Sequence, residues 1–531
     1  MQPLSPAQTP ELVFGLIAPI GVDLGLVSEV LVQTLREMQY EAHGFRLTHL
    51  MRELPIGLPL DAGTHVASFQ QRIAYANAVR ERLGDEAMAA LAISALRAFR
   101  AEERTRRRAA RGGTGSGADD APDADEQDEE APLPSQAYIV RQLKRPEEVA
   151  LLRSVYGRQF ILVSAYAPEA WRRTRIERQE RASRGGLVSE VEAHRLAHEL
   201  IVQDAKEAQE AHGQRVRDAF PLGDVFIDAT SRQHCEKALR RFVHLLFGSN
   251  EITPTHDEYG MYMAKSASLR SSDLSRQVGA AIFRPSGEVA TLGCNEVPKA
   301  GGGTYWAEDA ADRRDFVEGY DPNERIKTEV LVDVLDRLAR GGHLSVGLSA
   351  LADPVEMSKR LLAERTMHSV ADSKIMDLIE FGRIIHAEMS AICDASRNGV
   401  SVAGGTLYCT TFPCHLCAKH IVTAGLREVV YLEPYPKSYA SELHGDSISV
   451  DSDDPGRKVR FRAFIGVSPY RYRDLFEKGR RKYSGGAAQR WNRGASGPMI
   501  EVYHPQYFKA EALVVGGLGG AFRDAEARSP G

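Results

Sequence analysis

Apolar positions in the first half of the chain fall into short solid blocks separated by stretches with a helical period. ELVFGLIAPIG (11–21) is an almost unbroken apolar run ending on Gly, the pattern of a strand buried on both faces and entering a turn. Residues 24–40 then place apolar side chains on one face of a predicted helix. Residues 69–111 read mostly as helix, with an Arg-rich end from Arg97 to Arg111. QFILVSAY (159–166) and DVFIDA (224–229) repeat the buried-strand block. Strands alternating with helices predict a parallel α/β sheet over residues 11–245.

The pattern changes at 250–265. VGAAIF (278–283) and VATLGC (289–294) flank Pro285-Ser286-Gly287 and predict a hairpin. An insertion from about 300 to 375 follows. Beyond it come a helix starting near His386, the strand TLYCTT (406–411), a helix starting at Cys414 and the strand EVVYL (428–432). The order β-β-α-β-α-β predicts a three-layer α/β/α domain. KVRFRAFIGV (458–467) predicts one further strand. The division expected is 1–245, 250–510 and a Gly-rich flexible tail, 511–531.

Composition narrows this picture. A chain of 531 residues exceeds one ordinary core, so several domains are expected. With 43% hydrophobic and 26% charged residues it reads as soluble and globular. It has no apolar run long enough for a membrane span and no basic-then-apolar leader. Six Cys in such a length fit a reducing, cytoplasmic setting. The net charge of −5 gives no general reason to expect nucleic acid, although residues 457–493 are locally rich in Arg, Lys and Tyr. Residues 112–135 hold almost no large apolar residue and carry an acidic run, Asp119 to Glu130; this predicts disorder. The insertion is either a solvated linker or a cover for the basic helix end.

The densest chemistry lies in His386-Ala387-Glu388 and Pro413-Cys414-His415-Leu416-Cys417. One His and two Cys supply three zinc ligands and leave the fourth tetrahedral position for water. Glu388 is a spare carboxylate, suited to carry protons. Both halves stand at predicted helix starts, where backbone N–H groups favour thiolates at Cys414 and Cys417. A structural zinc knuckle would need a second close Cys pair, whereas Cys235, Cys294, Cys393 and Cys409 are isolated and read as buried structural thiols. A redox C-x-x-C would not need the upstream His and Glu. The pattern is the one zinc-dependent nucleobase deaminases share.

QVGAAIF, GCNEVPK (293–299), HAEMSAI and LYCTTFPCHLCAKHIVTAGLREVVYLEPYPKS together resemble the deoxycytidylate deaminases over about 265–440. The resemblance implies His386, Cys414 and Cys417 as zinc ligands and Glu388 as the proton shuttle. It also implies Asn295 at the nucleotide sugar, with Cys294 and Glu296 beside it where the family has Tyr and Gly. Tyr431 would lie by the base or sugar, and main-chain groups near Ala387 would fix the base. Arg270, Arg276 and Lys299 are the candidates for holding phosphate.

GLIAPIGVDLG (15–25) resembles a P-loop, with Gly15 in the strand and Gly21 in the turn. Leu16 replaces its first Gly, Val22 the Lys and Asp23 the Ser or Thr, which argues against ATP hydrolysis. Arg173, Arg175, Arg178 and Arg181 resemble a nucleotide-kinase lid. The bland alternative is a Gly turn without a ligand. A degenerate P-loop kinase-like domain ahead of a cytidine deaminase-like domain resembles the bacterial antiphage cytidine deaminases. That resemblance implies deamination of dCTP and dCMP to dUTP and dUMP, depletion of deoxycytidine nucleotides during infection, a small RNA as regulator in some members, and a homo-oligomer in the cytoplasm. Two other classes share the motif: a nucleic-acid editor acting on tRNA adenosine or single-stranded DNA cytosine, and a non-catalytic nucleotide-sensing switch.

Overall fold

The computed structural model describes residues 9–60, 63–112, 132–207, 210–364, 369–434, 438–452, 456–493, 497–500, 502 and 507–528. The chain separates into two compact units: Met1–Glu258 together with Ile465–Gly531, and Tyr259–Phe464. Twelve strands are described. They are β1 (Leu12–Ile17), β2 (Glu41–Arg46), β3 (Gln136–Leu143), β4 (Phe160–Tyr166), β5 (Val225–Asp228), β6 (Gly279–Phe283), β7 (Val289–Cys294), β8 (Thr406–Thr411), β9 (Glu428–Glu433), β10 (Ile448–Val450), β11 (Val459–Ala463) and β12 (Gly466–Val467).

In the first unit the sheet order is β12-β5-β4-β1-β3-β2. β1 lies between β3 and β4, parallel to both, and all six of its residues are buried. Its alternating faces feed two cores. Leu12, Phe14 and Leu16 pack with the helices Leu24–Glu37 and Arg232–Leu246. Val13 and Ile17 pack with the helices His65–Leu83 and Ala87–Gly112. The pattern predicted β1, β4 and β5. It passed over β2 and β3, although β3 is the parallel neighbour of β1, because AYIVRQL carries Arg141 and Gln142 inside a strand. Most of the predicted acidic disorder, 113–131, lies outside the described residues.

The structure departs from the expected division at the C-terminal side. KVRFRAFIGV is not one strand: β11 joins the second unit's sheet beside β9, and β12 pairs antiparallel with β5. The unit boundary falls between Phe464 and Ile465, not at 510. Instead of a flexible tail, Tyr507–Arg528 is a helix. Its anchor is a buried ionic cluster. Arg100 donates to Glu11 at 3.1 Å and to both Glu511 oxygens at 2.9 and 3.1 Å. The hydroxyls of Tyr507 and Tyr156 donate to Glu11 and Glu511 at 2.6 and 2.8 Å.

A second staple joins the segments that flank the deaminase-like stretch. Glu258, fully buried, accepts from both Arg241 Nη atoms at 2.6 and 2.8 Å, from Thr255 N–H at 2.8 Å and from Val467 N–H at 2.9 Å.

The second unit is a mixed sheet of order β10-β11-β9-β8-β6-β7. β6 and β7 form the predicted hairpin, β6 runs antiparallel to β8, and β9 runs parallel to it. One face carries the helices Ala387–Arg397 and His415–Thr423, packed through Ala391, Ala395, Cys417 and Ile421. On the other, Tyr259 of the helix His256–Ser268 sets its ring against Phe283 at 5.8 Å. Three layers result. The insertion adds the helices Pro322–Arg340 and Pro354–Ala363, with a small core of Leu331, Leu335 and Met357. No described helix is long and apolar enough to cross a membrane.

Candidate active site

His386 and Cys414 are the N-caps of the two helices on one face of the second sheet. Both have extended backbone, φ −67°, ψ 155° and φ −69°, ψ 167°, so each side chain leaves its helix at the end where unpaired N–H groups gather. Cys417 follows one turn on. Gly293 of β7 lets the first helix sit close: a Cβ there would lie 2.2 Å from the Ala387 carbonyl oxygen. His386 Nδ1 stands 3.3 Å from Cys414 Sγ and 3.4 Å from Cys417 Sγ. Among the described residues, this trio is the one group of three with metal-ligand spacing, all ligand atoms within 4.8 Å.

The donor set fits zinc. Tetrahedral bonds of about 2.0 Å to nitrogen and about 2.3 Å to sulfur separate N and S ligands by about 3.5 Å. In the metal-free trio only Cys414 is set up as a thiolate, while hydrogen bonding to Cys414, burial and the Cys414 charge raise the Cys417 thiol well above its ordinary value, so a bound metal would displace the protons of Cys417 and His386. Hydrogen bonding from Cys417 outweighs burial and, with His386, pushes the Cys414 thiol down to about 4. Burial pulls the His386 imidazole down, but the Cys414 thiolate outweighs it and holds it at about 9. Glu388, buried in the first turn, is raised above the ordinary carboxylate range by desolvation, against the opposing charge of His386. A carboxyl raised in this way takes and releases protons nearer neutrality.

His386, Ala387, Glu388 and Cys414 line a cavity of about 480 Å³. Asn295 and Arg276 line it as well. The Asn295 amide is spent on the chain itself: it accepts from Val278 N–H at 2.7 Å and donates to Asp273 at 2.7 Å and the Arg276 carbonyl at 2.8 Å. It therefore shapes the loop that presents Arg276. Arg276 is half exposed and lies 3.8 Å from Glu433.

The other candidates sit elsewhere. Arg270 does not line the cavity; its guanidinium lies 3.7 Å from the Trp306 ring centre and donates to Thr304 and to the Tyr305 carbonyl. Lys299 is paired with Asp309 at 2.8 Å. Tyr431 is buried edge-on to Phe412, ring centres 4.9 Å apart, with its hydroxyl toward Asp451. Cys393, expected buried, is exposed.

Sequence reading missed two contributors. Glu296 accepts from Ser272 N–H and Oγ at 3.0 and 2.7 Å, which ties the Ser-rich turn to the Asn295 loop. The insertion supplies cavity wall through Asp321, Asn323, Glu324 and Lys327. Asp321 caps the helix through Asn323 N–H, with Pro322 at its first position. That cap was visible in the sequence; its nearness to His386 was not. Buried Lys327 pairs with Glu324 at 2.5 Å and donates to the Met376 carbonyl at 2.8 Å.

In the first unit, the P-loop-like turn is already satisfied by side chains. Gly15 is interior to β1, where a Cβ would strike Leu143 and Phe160. Gly21 has φ 92° and packs against Arg172, while Val22 is half-buried. Asp23 caps the helix Leu24–Glu37 by accepting from Gly25 and Leu26 N–H at 3.0 and 3.1 Å, and pairs with Arg175 at 2.6 Å. Arg173 pairs with Glu169 at 3.5 Å.

Residues 254–433 match the family described as the cytidine and deoxycytidylate deaminase zinc-binding region. That match falls almost entirely within the second unit and includes His386, Glu388, Cys414 and Cys417. The chain is 50% identical to the deoxycytidylate deaminase of Enterobacteria phage T2 over 54 residues, 10% of this chain and 29% of that protein. It is 37% identical to ComE operon protein 2 of Bacillus subtilis over 108 residues, 19% of this chain and 54% of that protein. The chain thus spans from under a third to about half of the length of these relatives. A solved dCMP deaminase from cyanophage S-TIM5 aligns over 40% of this chain and 99% of its own, at 16% identity and a TM-score of 0.21.

Proposed function

We propose that the protein is a zinc-dependent hydrolase that deaminates deoxycytidine nucleotides, dCTP and dCMP, to dUTP and dUMP with release of ammonia. The observation that carries the reading is the convergence of buried Glu388 with His386 and Cys414 on one cavity, with Cys417 completing the ligand trio behind them, within a segment matching the deaminase zinc-binding family. Zinc held by the three ligands would supply a Lewis acid that acidifies water at the open position. Glu388 takes the proton of the attacking water and delivers it to N3 of cytosine as the oxygen adds to C4. It then carries a proton to the amino group, the C4–N bond breaks, and ammonia leaves. His386 and Cys414, on helix N-termini, hold the ligand set; Ala387 flanks the base; the Asn295 loop presents Arg276 to phosphate.

The resemblance of the whole chain supports a cellular reading: the first unit restrains the deaminase, a nucleotide at the P-loop-like turn or a small RNA sets that restraint, and the homo-oligomeric enzyme depletes deoxycytidine nucleotides during phage infection. Purified protein incubated with dCMP, dCTP, CTP and a single-stranded oligonucleotide, with ammonia as readout, tests the activity. Ammonia from dCMP or dCTP is expected; ammonia from the oligonucleotide alone overturns the reading. Infected cells carrying Glu388→Ala should keep their dCTP pool, whereas the parent drains it. Equal pools would sink the defence role.

A further inference from the structure

Arg46 and Arg141 are direct cross-strand partners in the parallel pair β2·β3, so their side chains leave the same face of the first sheet side by side. Arg46 is the last residue of β2, at the carboxyl edge of the strands, where open α/β sheets gather ligands. Arg141 is also in register with Leu16, on the face covered by the helix Leu24–Glu37. Its guanidinium reaches the start of that helix: a methyl placed on Gly25 would lie 3.6 Å from Arg141 Nη2.

Like charges directly opposite each other repel unless an anion joins them. Among the described residues, no carboxylate pairs with Arg46 or Arg141. Arg46 Nε and Arg141 Nε are both sealed from solvent without a hydrogen-bond acceptor. Arg46 donates to His49 Nε2 at 3.3 Å, a neutral partner. Burial, and then the charges of Arg46, Arg52, Arg141 and Arg72, hold His49 below its ordinary value. Asp23, the acid whose charge bears on Arg141, is already engaged by Arg175 and by two backbone N–H groups. Arg46 and Arg141 therefore set two guanidinium groups beside a positive helix end.

We propose that Arg46 and Arg141 form a binding site for the polyphosphate of a free nucleotide, at the carboxyl edge of β2 and β3. Two guanidinium forks suit the paired oxygens of successive phosphoryl groups. The site differs from a P-loop in its donors: within the P-loop-like turn the Ile20 N–H is held by Asp204 and the Val22 N–H by the Pro19 carbonyl, and arginines take their place. Two adjacent guanidinium groups on one sheet face suit a compact anion better than a nucleic-acid strand, which needs an open basic track with stacking aromatics. The site is independent of the deaminase cavity and of the substrate assigned to it.

Calorimetric titration of the full chain with inorganic tripolyphosphate and with ATP tests this, on the parent, Arg46→Gln, Arg141→Gln and, as a cavity control, Arg276→Gln. Saturable binding is expected in the parent and in Arg276→Gln, weakened about tenfold or more in the other two. Thermal melts separate ligand binding from a structural role. Without ligand, Arg141→Gln should melt at or above the parent temperature, because repulsion is relieved, and tripolyphosphate should raise the melting temperature of the parent and of Arg276→Gln well above any rise in Arg46→Gln or Arg141→Gln. Undiminished affinity in Arg46→Gln and Arg141→Gln overturns the site, as does binding lost only in Arg276→Gln. A lower melting temperature for ligand-free Arg141→Gln makes the arginine structural and also overturns it. Arg141-dependent binding of a single-stranded RNA that tripolyphosphate cannot displace would overturn it in favour of nucleic acid.

Discussion

The Glu258 carboxylate accepts the Val467 N–H at 2.9 Å across 209 positions of sequence. The same carboxylate holds Arg241 through both Nη atoms. One buried side chain therefore fastens the segment before the deaminase domain to the segment after it. Glu258→Ala removes the acceptor of Arg241 and of the Thr255 and Val467 N–H groups, and should destabilise the first unit by about 3–5 kcal/mol. Urea unfolding monitored at Trp491, which lies in this unit, reads the change. A loss within about 0.5 kcal/mol would show that the staple carries no stability.

Glu388→Ala should cut ammonia release by about a hundredfold or more while the protein keeps its zinc, because Glu388 moves protons and the ligands are His386, Cys414 and Cys417. His386→Ala and Cys414→Ala should lose metal and activity together. Metal content by atomic absorption beside turnover distinguishes the two classes. Near-normal turnover in Glu388→Ala would refute the proton path.

The cavity separates the phosphate candidates. Arg276→Gln should raise KM for dCMP or dCTP about tenfold, the worth of a charged hydrogen bond. Lys299→Ala, whose partner is Asp309, should leave KM unchanged. Arg270→Ala should lower the melting temperature through loss of the Trp306 stack and the Thr304 bonds. The reverse ranking in KM would place phosphate on the other side of the Asn295 loop.

Arg100→Met should cost about 3–5 kcal/mol, since Glu11 and Glu511 would stay buried without a cation. The triple change Arg100→Met, Glu11→Gln, Glu511→Gln should recover much of that loss. Limited proteolysis should then cut near residue 507 in the single variant before it cuts the parent. Equal protection of both would show that the C-terminal helix is held by its apolar contacts alone.

The metal trio was legible because its determinants are local: each ligand sits at or within one turn of a helix start marked by neighbouring residues. The hairpin and the buried strands β1, β4 and β5 were legible for the same reason, as apolar blocks. What escaped depends on distant partners. Nothing adjacent distinguishes Arg276 from Lys299; Asp309 and the cavity wall do. The Gly-rich C-terminus reads as mobile until Glu511 meets Arg100. β11 and β12 read as one strand because no turn signal separates VRFRA from the apolar residues that follow, and only pairing with β9 and β5 divides them.

The placement of β12 and of the helix Tyr507–Arg528 after the deaminase domain imposes an order on synthesis. A chain emerging from the ribosome presents β1 to β5 before the metal trio, yet β12, the partner of β5 at the sheet edge, and Glu511, which shares Arg100 with Glu11, follow that trio. All three metal ligands and Glu388 have left the ribosome before either arrives. The residues of the candidate metal site are thus all available while the first unit still lacks a sheet-edge strand and its C-terminal helix, and translation itself decides which unit closes last.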